Sequence, residues 1–431
     1  MIPEELRLVV AIVLFVFTYV GMLVFQKYRP WIAVGSAIVF IVTGLLPIQK
    51  VWGAIDFNVL LMIAGTMGTV AMMIESKMPA YLADLILERV PNVKWAIVML
   101  ALFAGIVSAF IDNVATVLMI APIALALSKK LNISPVGMII AIAVSSNLQG
   151  AATLVGDTTS IMLAGQANMN FADFFIYQGK ISLFFIVEIG ALISAIILLF
   201  LFGREKGKIE RGEREKVEDV VPTILMLSTV VLLIVVSLLP IELPSTINGI
   251  ICVCIMLIGL IYRAVKTKSA KSMLMPLKAI DFETIILLFG LFLVVGGIAE
   301  AGVIDALAEF FKTLGGGDLF IIYTIVVWTS VILSAFIDNI PYVATMLPVM
   351  ATLGAAFNNP TVLYFGLLCG ATLGGNLTPI GASANIAGIG ILRREGYEVK
   401  NKDFLKIGIP FTLSAIIPAY LLVWFIFGIW F

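Results

Sequence analysis

Histidine is absent from the 431-residue chain, and charged residues make up only 13% of it. The missing histidine excludes Ser-His-Asp catalysis, histidine-bound zinc and histidine proton shuttles. Only three cysteines occur, all inside apolar runs, so the chain has neither a disulfide framework nor the spacing of a metal site. Basic and acidic residues number 27 each, and this zero net charge leaves no basic surface for nucleic acid.

Apolar residues are abundant instead. They make up 61% of the chain, against about 45–50% in soluble proteins. Apolar runs of about 17–22 residues can cross a bilayer as helices. The clear runs are residues 6–25, 31–48, 57–74, 181–202, 221–240, 246–262, 282–299 and 408–430. The first run follows an acidic segment, so we interpret it as a permanent span and not as a signal peptide. The composition predicts an all-α polytopic protein with membrane lipid around it.

Four further apolar segments are polar at their centres. Residues 95–128 and 319–356 are each long enough for two helices but carry an Asp-Asn pair in the middle. We predict that both are re-entrant hairpins. Residues 137–168 and 361–392 are interrupted by Gly, Thr, Asn and either Asp or Pro, which predicts two discontinuous helices. With these assignments, the chain makes ten full crossings.

Lysine and arginine decide the predicted orientation. With ten crossings, 23 of the 27 basic residues lie on one side of the membrane. The other four are Arg7, Lys50, Lys180 and Lys312. We assign the first side to the cytoplasm of an inner membrane, with both termini outside. Residues 203–220, with six basic and six acidic residues, form a charged cytoplasmic linker between two halves.

The two halves repeat each other at an offset of about 225 residues. Residues 108–113 recur letter for letter as residues 334–339. Each half, 1–202 and 221–431, contains five predicted crossings, so the second half must be upside down relative to the first. The sequence therefore predicts an inverted-topology repeat, which is typical of secondary transporters. The two hairpins then open from opposite sides, and their tips can meet near the midplane.

Ionisable residues inside a membrane are candidates for function because they are costly to bury there. Asp112 and Asp338 lie at the predicted hairpin tips, where they can also simply cap the following helix. Asp157 lies in the first broken helix, and Ala382 is its counterpart in the second. Three carboxylates with no obvious Arg or Lys beside them predict a site for sodium or protons.

The broken helices supply further candidates. Freed carbonyl groups and half-helix C-termini suit a cation, whereas half-helix N-termini suit an anionic or polar substrate. The candidate binding residues are Asp112, Asn113, Asn147, Thr153, Gly156, Asp157, Thr158, Asp338, Asn339, Asn376, Thr378, Pro379, Gly381, Ser383 and Asn385. The sodium candidates among them are Asp112, Asn113, Asp157, Asp338 and Asn339. No other cofactor is predicted.

These motifs together resemble the ion transporter superfamily. The Asp-Asn hairpins, each followed by an arm with Pro122 or Pro348, precede Gly-Gly-Asn-Leu-Thr-Pro-Ile-Gly at 374–381. This order is similar to the citrate-transporter-like branch of arsenite permeases, NhaD-type sodium–proton antiporters and the melanosomal P protein. The resemblance covers the whole chain. It implies scaffold helices around a transport domain, a homodimer, an elevator movement, and cation binding by Ser108 and Ser334.

The hairpin tips depart from one branch of that superfamily. Sodium–dicarboxylate symporters carry Ser-Asn-Thr there, whereas this chain has Asp112-Asn113-Val114 and Asp338-Asn339-Ile340. The difference favours the cation, proton or arsenite side. We predict a sodium- or proton-coupled secondary transporter of a small ion, oxyanion or oxyacid, not an enzyme. Efflux of arsenite or silicic acid and sodium-coupled carboxylate symport are open alternatives. A channel and an intramembrane aspartyl protease are the competing classes.

Overall fold

The computed structural model describes residues 3–205, 207, 214–239 and 243–429, which are almost entirely helical. The first half contains α1 (Glu4–Val24), α2 (Arg29–Val42), α3 (Val51–Ala54), α4 (Phe57–Glu75), α5 (Met78–Leu87), α6 (Val93–Ser108), α7 (Asn113–Leu131), α8 (Val136–Gly150), α9 (Thr158–Ala167), β1 (Ile176–Tyr177), β2 (Lys180–Ile181) and α10 (Leu183–Leu201). The second contains α11 (Val221–Leu238), α12 (Ile247–Thr267), α13 (Leu274–Lys278), α14 (Phe282–Glu300), α15 (Val303–Leu314), α16 (Leu319–Ser334), α17 (Asn339–Ala356), α18 (Pro360–Gly374), α19 (Ser383–Arg394) and α20 (Asn401–Val423). The two short strands pair antiparallel.

The all-α membrane class is confirmed. Within the described ranges, nine helices are long and apolar enough to cross a membrane, or up to ten if the bent pair α15–α16 counts as one. These helices differ in the fraction of their residues that is buried inside the protein. Only 17% of α1 is buried inside the protein, whereas 67% of α17 is. Helix α1 therefore lies at the lipid-facing rim, and α17 belongs to the centre, where α8 and α18 are buried on nearly every side.

All four interrupted segments are broken where the sequence predicts. Helices α6 and α7 flank the break in 95–128, and α16 and α17 flank the break in 319–356. In the other pair, α8 and α9 are separated by residues 151–157, and α18 and α19 by a short 3₁₀ turn, Gly375–Leu377, and a loop. Each break exposes backbone groups at the interior of the protein, which is where a membrane protein tolerates them.

Contacts at the ends of the hairpins are consistent with re-entry. The α6 end donates a hydrogen bond from Val93 N to Gly207 O at 3.0 Å, and Lys129 at the α7 end pairs with Glu395. Gly207 lies in the predicted cytoplasmic linker, and Lys129 is one of the 23 basic residues assigned to the cytoplasm. In the second hairpin, the Phe320 ring packs 4.7 Å from Trp424, and Asn359, just beyond α17, bonds Phe427 O at 2.7 Å. Both ends of the second hairpin therefore lie against residues 424–427, which directly follow α20.

Several boundaries differ from those predicted. Helix α2 ends at Val42, before Gly44 at φ +76°, instead of reaching residue 48. Helices α5 and α15 were not predicted because their apolar runs are too short to cross a bilayer. Each follows a residue in the left-handed region, Lys77 or Gly302, which redirects the chain. Within the predicted linker 203–220, residues 206 and 208–213 lie outside the described residues.

The flanks of that linker are anchored to the helices beside it. Lys94 N donates to Glu205 O at 2.9 Å, and Arg214 pairs with Glu88 after α5. Glu218 N donates to Ser76 O at 3.0 Å. The described parts of the linker therefore join one end of the helical bundle.

Candidate functional site

Four helices begin at the centre of the protein, and three of them have an aspartate at the N-cap. Asp112 Oδ2 accepts hydrogen bonds from Val114 N and Ala115 N, both at 3.1 Å, at the start of α7. Asp338 Oδ1 accepts from Ile340 N at 3.1 Å at the start of α17. Capping therefore does occur at both hairpin tips. It uses one oxygen of each carboxylate and leaves the other for a different partner.

The N-termini of these helices open on a cavity of about 320 Å³. Six of the predicted residues line it: Asp112, Asn113, Asp157, Thr158, Asn339 and Ser383. The facing wall is apolar and comes from the second half of α4 and from α7; it includes Met67, Val70, Ala71, Ile74 and Leu118. Asp281 and Thr284, at the start of α14, complete the rim. The sequence did not single out these two residues.

Asp338 has a basic partner, which the sequence analysis did not expect. Arg29, at the start of α2, places Nη1 3.1 Å from Asp338 Oδ2. Both side chains are shielded, at 17% and 12% exposure. Ser383, which lines the cavity, donates to the same oxygen at 3.4 Å. The expectation of three carboxylates without a nearby Arg or Lys was wrong, because the connection between α1 and α2 runs beside the second hairpin tip.

Two hydrogen-bond chains link the halves behind the cavity. In one, Asn113 donates to Asn147 Oδ1 at 3.0 Å, and Asn147 donates to Asn376 Oδ1 at 3.1 Å. In the other, Thr159 donates to Asp157 Oδ2 at 2.8 Å. Asn339 lies 3.4 Å from the same oxygen. Each chain joins residues of the first half to a residue of the second half, and the second chain does so through Asp157.

Thr159 also lies 3.1 Å from Thr372, and both are fully buried. Neither threonine was among the candidate binding residues. Thr159 directly follows the candidate Thr158, whereas Thr372 lies four residues before the candidate Asn376.

The predicted residue Gly156 lies where three backbone carbonyl groups converge. A Cβ at this position would stand 2.6 Å from Gly150 O, 2.7 Å from Ser108 O and 2.8 Å from Ala109 O. Only glycine lets these three carbonyl oxygens pack this closely against its Cα. The Ser108 hydroxyl is fully buried and makes no hydrogen bond to any described residue. Thr153 donates a hydrogen bond to Ala109 O. We call the three carbonyl groups, the Ser108 hydroxyl and Thr153 the first carbonyl cradle.

The second half repeats the arrangement. A Cβ at Gly381 would stand 2.6 Å from Gly375 O, 2.8 Å from Ser334 O and 2.9 Å from Ala335 O. Thr378 bonds Ala335 O, as Thr153 bonds Ala109 O in the first half. We call this the second carbonyl cradle.

The second cradle has two side-chain contacts of its own. Asn385 donates to Gly375 O at 3.0 Å, and the Ser334 hydroxyl donates to Ala371 O at 2.5 Å. Pro379 is half-buried in the same loop but does not line the cavity.

One carboxylate is adjacent to a cradle, since Asp157 directly follows Gly156. Within the described part of the chain, no cluster of three or more His, Cys, Asp or Glu side chains is placed to hold a metal ion. Cation ligands here would instead be backbone carbonyls, hydroxyls and one carboxylate at a time, which are the oxygen donors that hard cations take.

A second cavity, of about 670 Å³, lies at the other end of α4. Asp56, the N-cap of α4, lines it together with Asn58 and Gln166. Ala344, Leu347 and Pro348 of α17 also line this cavity. The two cavities thus approach the centre of the protein from different directions.

Comparison with known proteins agrees with the membrane architecture. A family model described as citrate transporter matches residues 12–370. A 46 kDa membrane protein of Mycobacterium leprae is 29% identical over 427 residues, covering 96% of this chain and 98% of its own length. An uncharacterized transporter of Mycobacterium tuberculosis is 30% identical over 431 residues, with 96% and 98% covered. The P protein of Sus scrofa is 26% identical over 437 residues, covering 83% of this chain and 51% of its own.

Two solved structures share the fold at low sequence identity. The YdaH transporter of Alcanivorax borkumensis has a TM-score of 0.60 at 14% identity, with 88% of each chain covered. MtrF of Neisseria gonorrhoeae has a TM-score of 0.53 at 14% identity, covering 95% of this chain and 84% of its own. Both are membrane transport proteins by their descriptions, and at this identity the likeness speaks for the fold alone.

Proposed function

Since the chain belongs to the citrate transporter family, we propose that it is a sodium- or proton-coupled secondary transporter that moves a small solute by alternating access. The observation that carries the proposal is the pair of carbonyl cradles. Each combines converging carbonyl oxygens with a hairpin tip and a broken helix, and each recurs at matching positions of the two halves. We propose that these carbonyl oxygens ligate a desolvated cation on the side that faces away from the glycine, because hard cations take oxygen ligands.

The negative charges of Asp112 and Asp157 balance the positive charge of the coupling ion. Both line the cavity, and Asp157 is only 3% exposed. A buried carboxylate without a bound cation or proton is costly. We propose that a cation or proton enters with each cycle and offsets this cost.

We propose that the structure is in an inward-open state. The cavity reaches Asp281 at the start of α14, next to Lys278, which belongs to the predicted cytoplasmic group. The larger cavity lies at the other end of α4, and its lining includes the closely packed pair Asp56 and Gly165. In an inverted repeat, alternating access can arise from movement of one repeat or bundle against the other. An elevator movement of the hairpins and broken helices against α1, α2, α4, α11, α12 and α14 fits this arrangement.

One asymmetry favours a small anion or oxyacid as the solute. Three of the four central helices begin after an aspartate, but α19 begins after Ala382, whose methyl group carries no charge and accepts no hydrogen bond. A helix N-terminus favours negative charge. An oxyanion bound beside Ser383, with bound cations offsetting the aspartates, would fill the position that Asp157 fills in the other half. This supports coupled carboxylate or oxyanion transport, and sodium–proton exchange is the second candidate because Asp112 and Asp157 line the cavity.

A ligand screen on purified protein tests the proposal. A ligand that binds only the folded protein raises thermal stability by about 2.7 kcal/mol at 100 times its Kd. We expect sodium ions or acidification to stabilise the protein, and citrate, arsenite or silicic acid to add to that effect only when the cation is present. Stabilisation by a solute that is the same with and without sodium, and the same at every pH, would contradict coupling.

A matched pair of glycines tests alternating access. Asp56 recurs as Asp281 and Gly165 as Gly390 at the repeat offset of 225. A Cβ at Gly165 would overlap Asp56 Oδ2, whereas a Cβ at Gly390 would meet nothing within 4 Å. The same pair is therefore closed in one half and open in the other.

We expect Gly165→Ala to disfavour the inward-open state and Gly390→Ala to disfavour its counterpart. The readout is labelling of Ala115→Cys, which lines the cavity, by a membrane-impermeant maleimide in a background without the three native cysteines. Labelling should fall several-fold with Gly165→Ala and be retained with Gly390→Ala, while both variants transport more slowly. Equal labelling of both variants would contradict the exchange of states.

A further inference from the structure

Arg29 contacts the candidate site, although it was not among the candidate binding residues. It lies at the start of α2, outside the two hairpins, and its Nε–H donates to Met22 O in α1 at 3.2 Å. This bond ties the guanidinium to the rim helices. Nη1 then reaches across to Asp338 at the tip of the second hairpin. The ion pair therefore joins α2 to the hairpin that we propose to move.

Asp338 has both carboxylate oxygens engaged. Oδ1 caps α17, and Oδ2 meets Arg29 at 3.1 Å and Ser383 at 3.4 Å. Its counterpart Asp112 caps α7 with Oδ2 alone and, among the described residues, has no basic side chain within ion-pair distance. We call each of these aspartates, with its neighbours, a half-site. The two half-sites are unequal, because Arg29 neutralises Asp338 whereas Asp112 faces the cavity.

A second contact joins α1 to the second hairpin. The Tyr19 hydroxyl, on α1, bonds Pro341 O and the Thr345 hydroxyl, both on α17. Pro341 lies three residues after Asp338. The first turn of α17 is therefore held by Tyr19, and the aspartate that caps it is held by Arg29. Both contacts must break if the hairpin moves past α1 and α2.

From these contacts we infer that Arg29 takes the place of a sodium ion at Asp338 in the state seen here. The guanidinium and a sodium ion offer the same charge to the same oxygen, so they exclude each other. Asp338 binds sodium only after the hairpin has left Arg29. Arg29 is a positioning residue: it keeps this half-site empty of sodium while the Asp112 side is open. The inference rests on the sodium-coupled form of the proposed function.

The test compares Arg29→Gln with Lys27→Gln, which removes the same charge from an exposed side chain two positions away. Thermal unfolding of purified protein is followed as sodium chloride replaces choline chloride, so that ionic strength stays constant. We expect the half-stabilising sodium concentration of Arg29→Gln to fall about tenfold, because the competing cation is gone. Lys27→Gln should match the wild type. Adding Asp338→Asn to Arg29→Gln should abolish the shift.

The outcomes separate this inference from the function it rests on. A wild type that responds to sodium, with Arg29→Gln and Lys27→Gln behaving alike, overturns the role of Arg29 alone. A wild type that ignores sodium but responds to protons overturns it too and leaves proton coupling standing. If Arg29→Gln does not fold, Arg29→Lys serves instead. Lysine keeps the charge but lacks the Nε–H donor to Met22 O, so a smaller shift in the same direction is expected, and no shift overturns the inference.

Discussion

Asp157→Asn is expected to abolish coupled transport while leaving the protein folded. The amide oxygen can still accept the hydrogen bond from Thr159, so the local structure is kept. The charge that balances the coupling cation is lost. We expect transport driven by a sodium or pH gradient to fall at least about 100-fold, which corresponds to about 2.7 kcal/mol.

The thermal stability of the same variant separates loss of binding from loss of fold. Without added cation, Asp157→Asn should unfold at or above the wild-type temperature, because a buried unpaired charge has been removed. Added cation should no longer stabilise it. Asp305→Asn makes the same change on an exposed side chain of α15 and should behave as wild type. Cation stabilisation of Asp157→Asn equal to that of the wild type would remove Asp157 from the site.

Gly156→Ala is expected to have the second-largest effect. The added methyl group would stand within 2.8 Å of three carbonyl oxygens, so the first carbonyl cradle must open or twist. We expect an overpacking cost of about 1–3 kcal/mol in folding. Because the converging oxygens are the proposed cation ligands, cation-dependent stabilisation should be lost and transport should fall by a similar factor to Asp157→Asn.

The control for Gly156→Ala is Gly35→Ala in α2. A Cβ there meets nothing within 4 Å, so the change should leave cation binding intact and stabilise the helix by no more than about 1 kcal/mol. Gly381→Ala probes the second cradle in the same way. A Gly156→Ala protein that binds cation with wild-type affinity would show that the converging carbonyls are not ligands.

The breaks in the helices could be predicted because polar residues are conspicuous in an apolar chain. The identity of 108–113 with 334–339, each with an Asp-Asn pair, located both hairpins. Gly156 and Asp157 marked the first broken helix for the same reason. In each case a local feature, a polar group that a membrane does not tolerate without a partner, decided the structure.

Arg29 and the carbonyl cradles could not be predicted in this way. The sequence shows Arg29 only as one more basic residue in a loop, and its reach to Asp338 depends on how α1 and α2 pack against the second hairpin. The glycines of the cradles look the same in sequence as glycines that let helices pack closely. Helices α5 and α15 were missed because their short apolar runs carry no spanning signal.

Gradient-driven flux in proteoliposomes tests the proposal of coupled transport most directly. Vesicles containing wild-type protein or Asp157→Asn are given a sodium gradient, a pH gradient or neither, and uptake of radiolabelled citrate, arsenite and sodium is followed. We predict saturable uptake of at least one of them, driven by one of the gradients and lost in Asp157→Asn. Uptake that does not saturate and persists unchanged in Asp157→Asn would contradict a coupled transporter and indicate a channel.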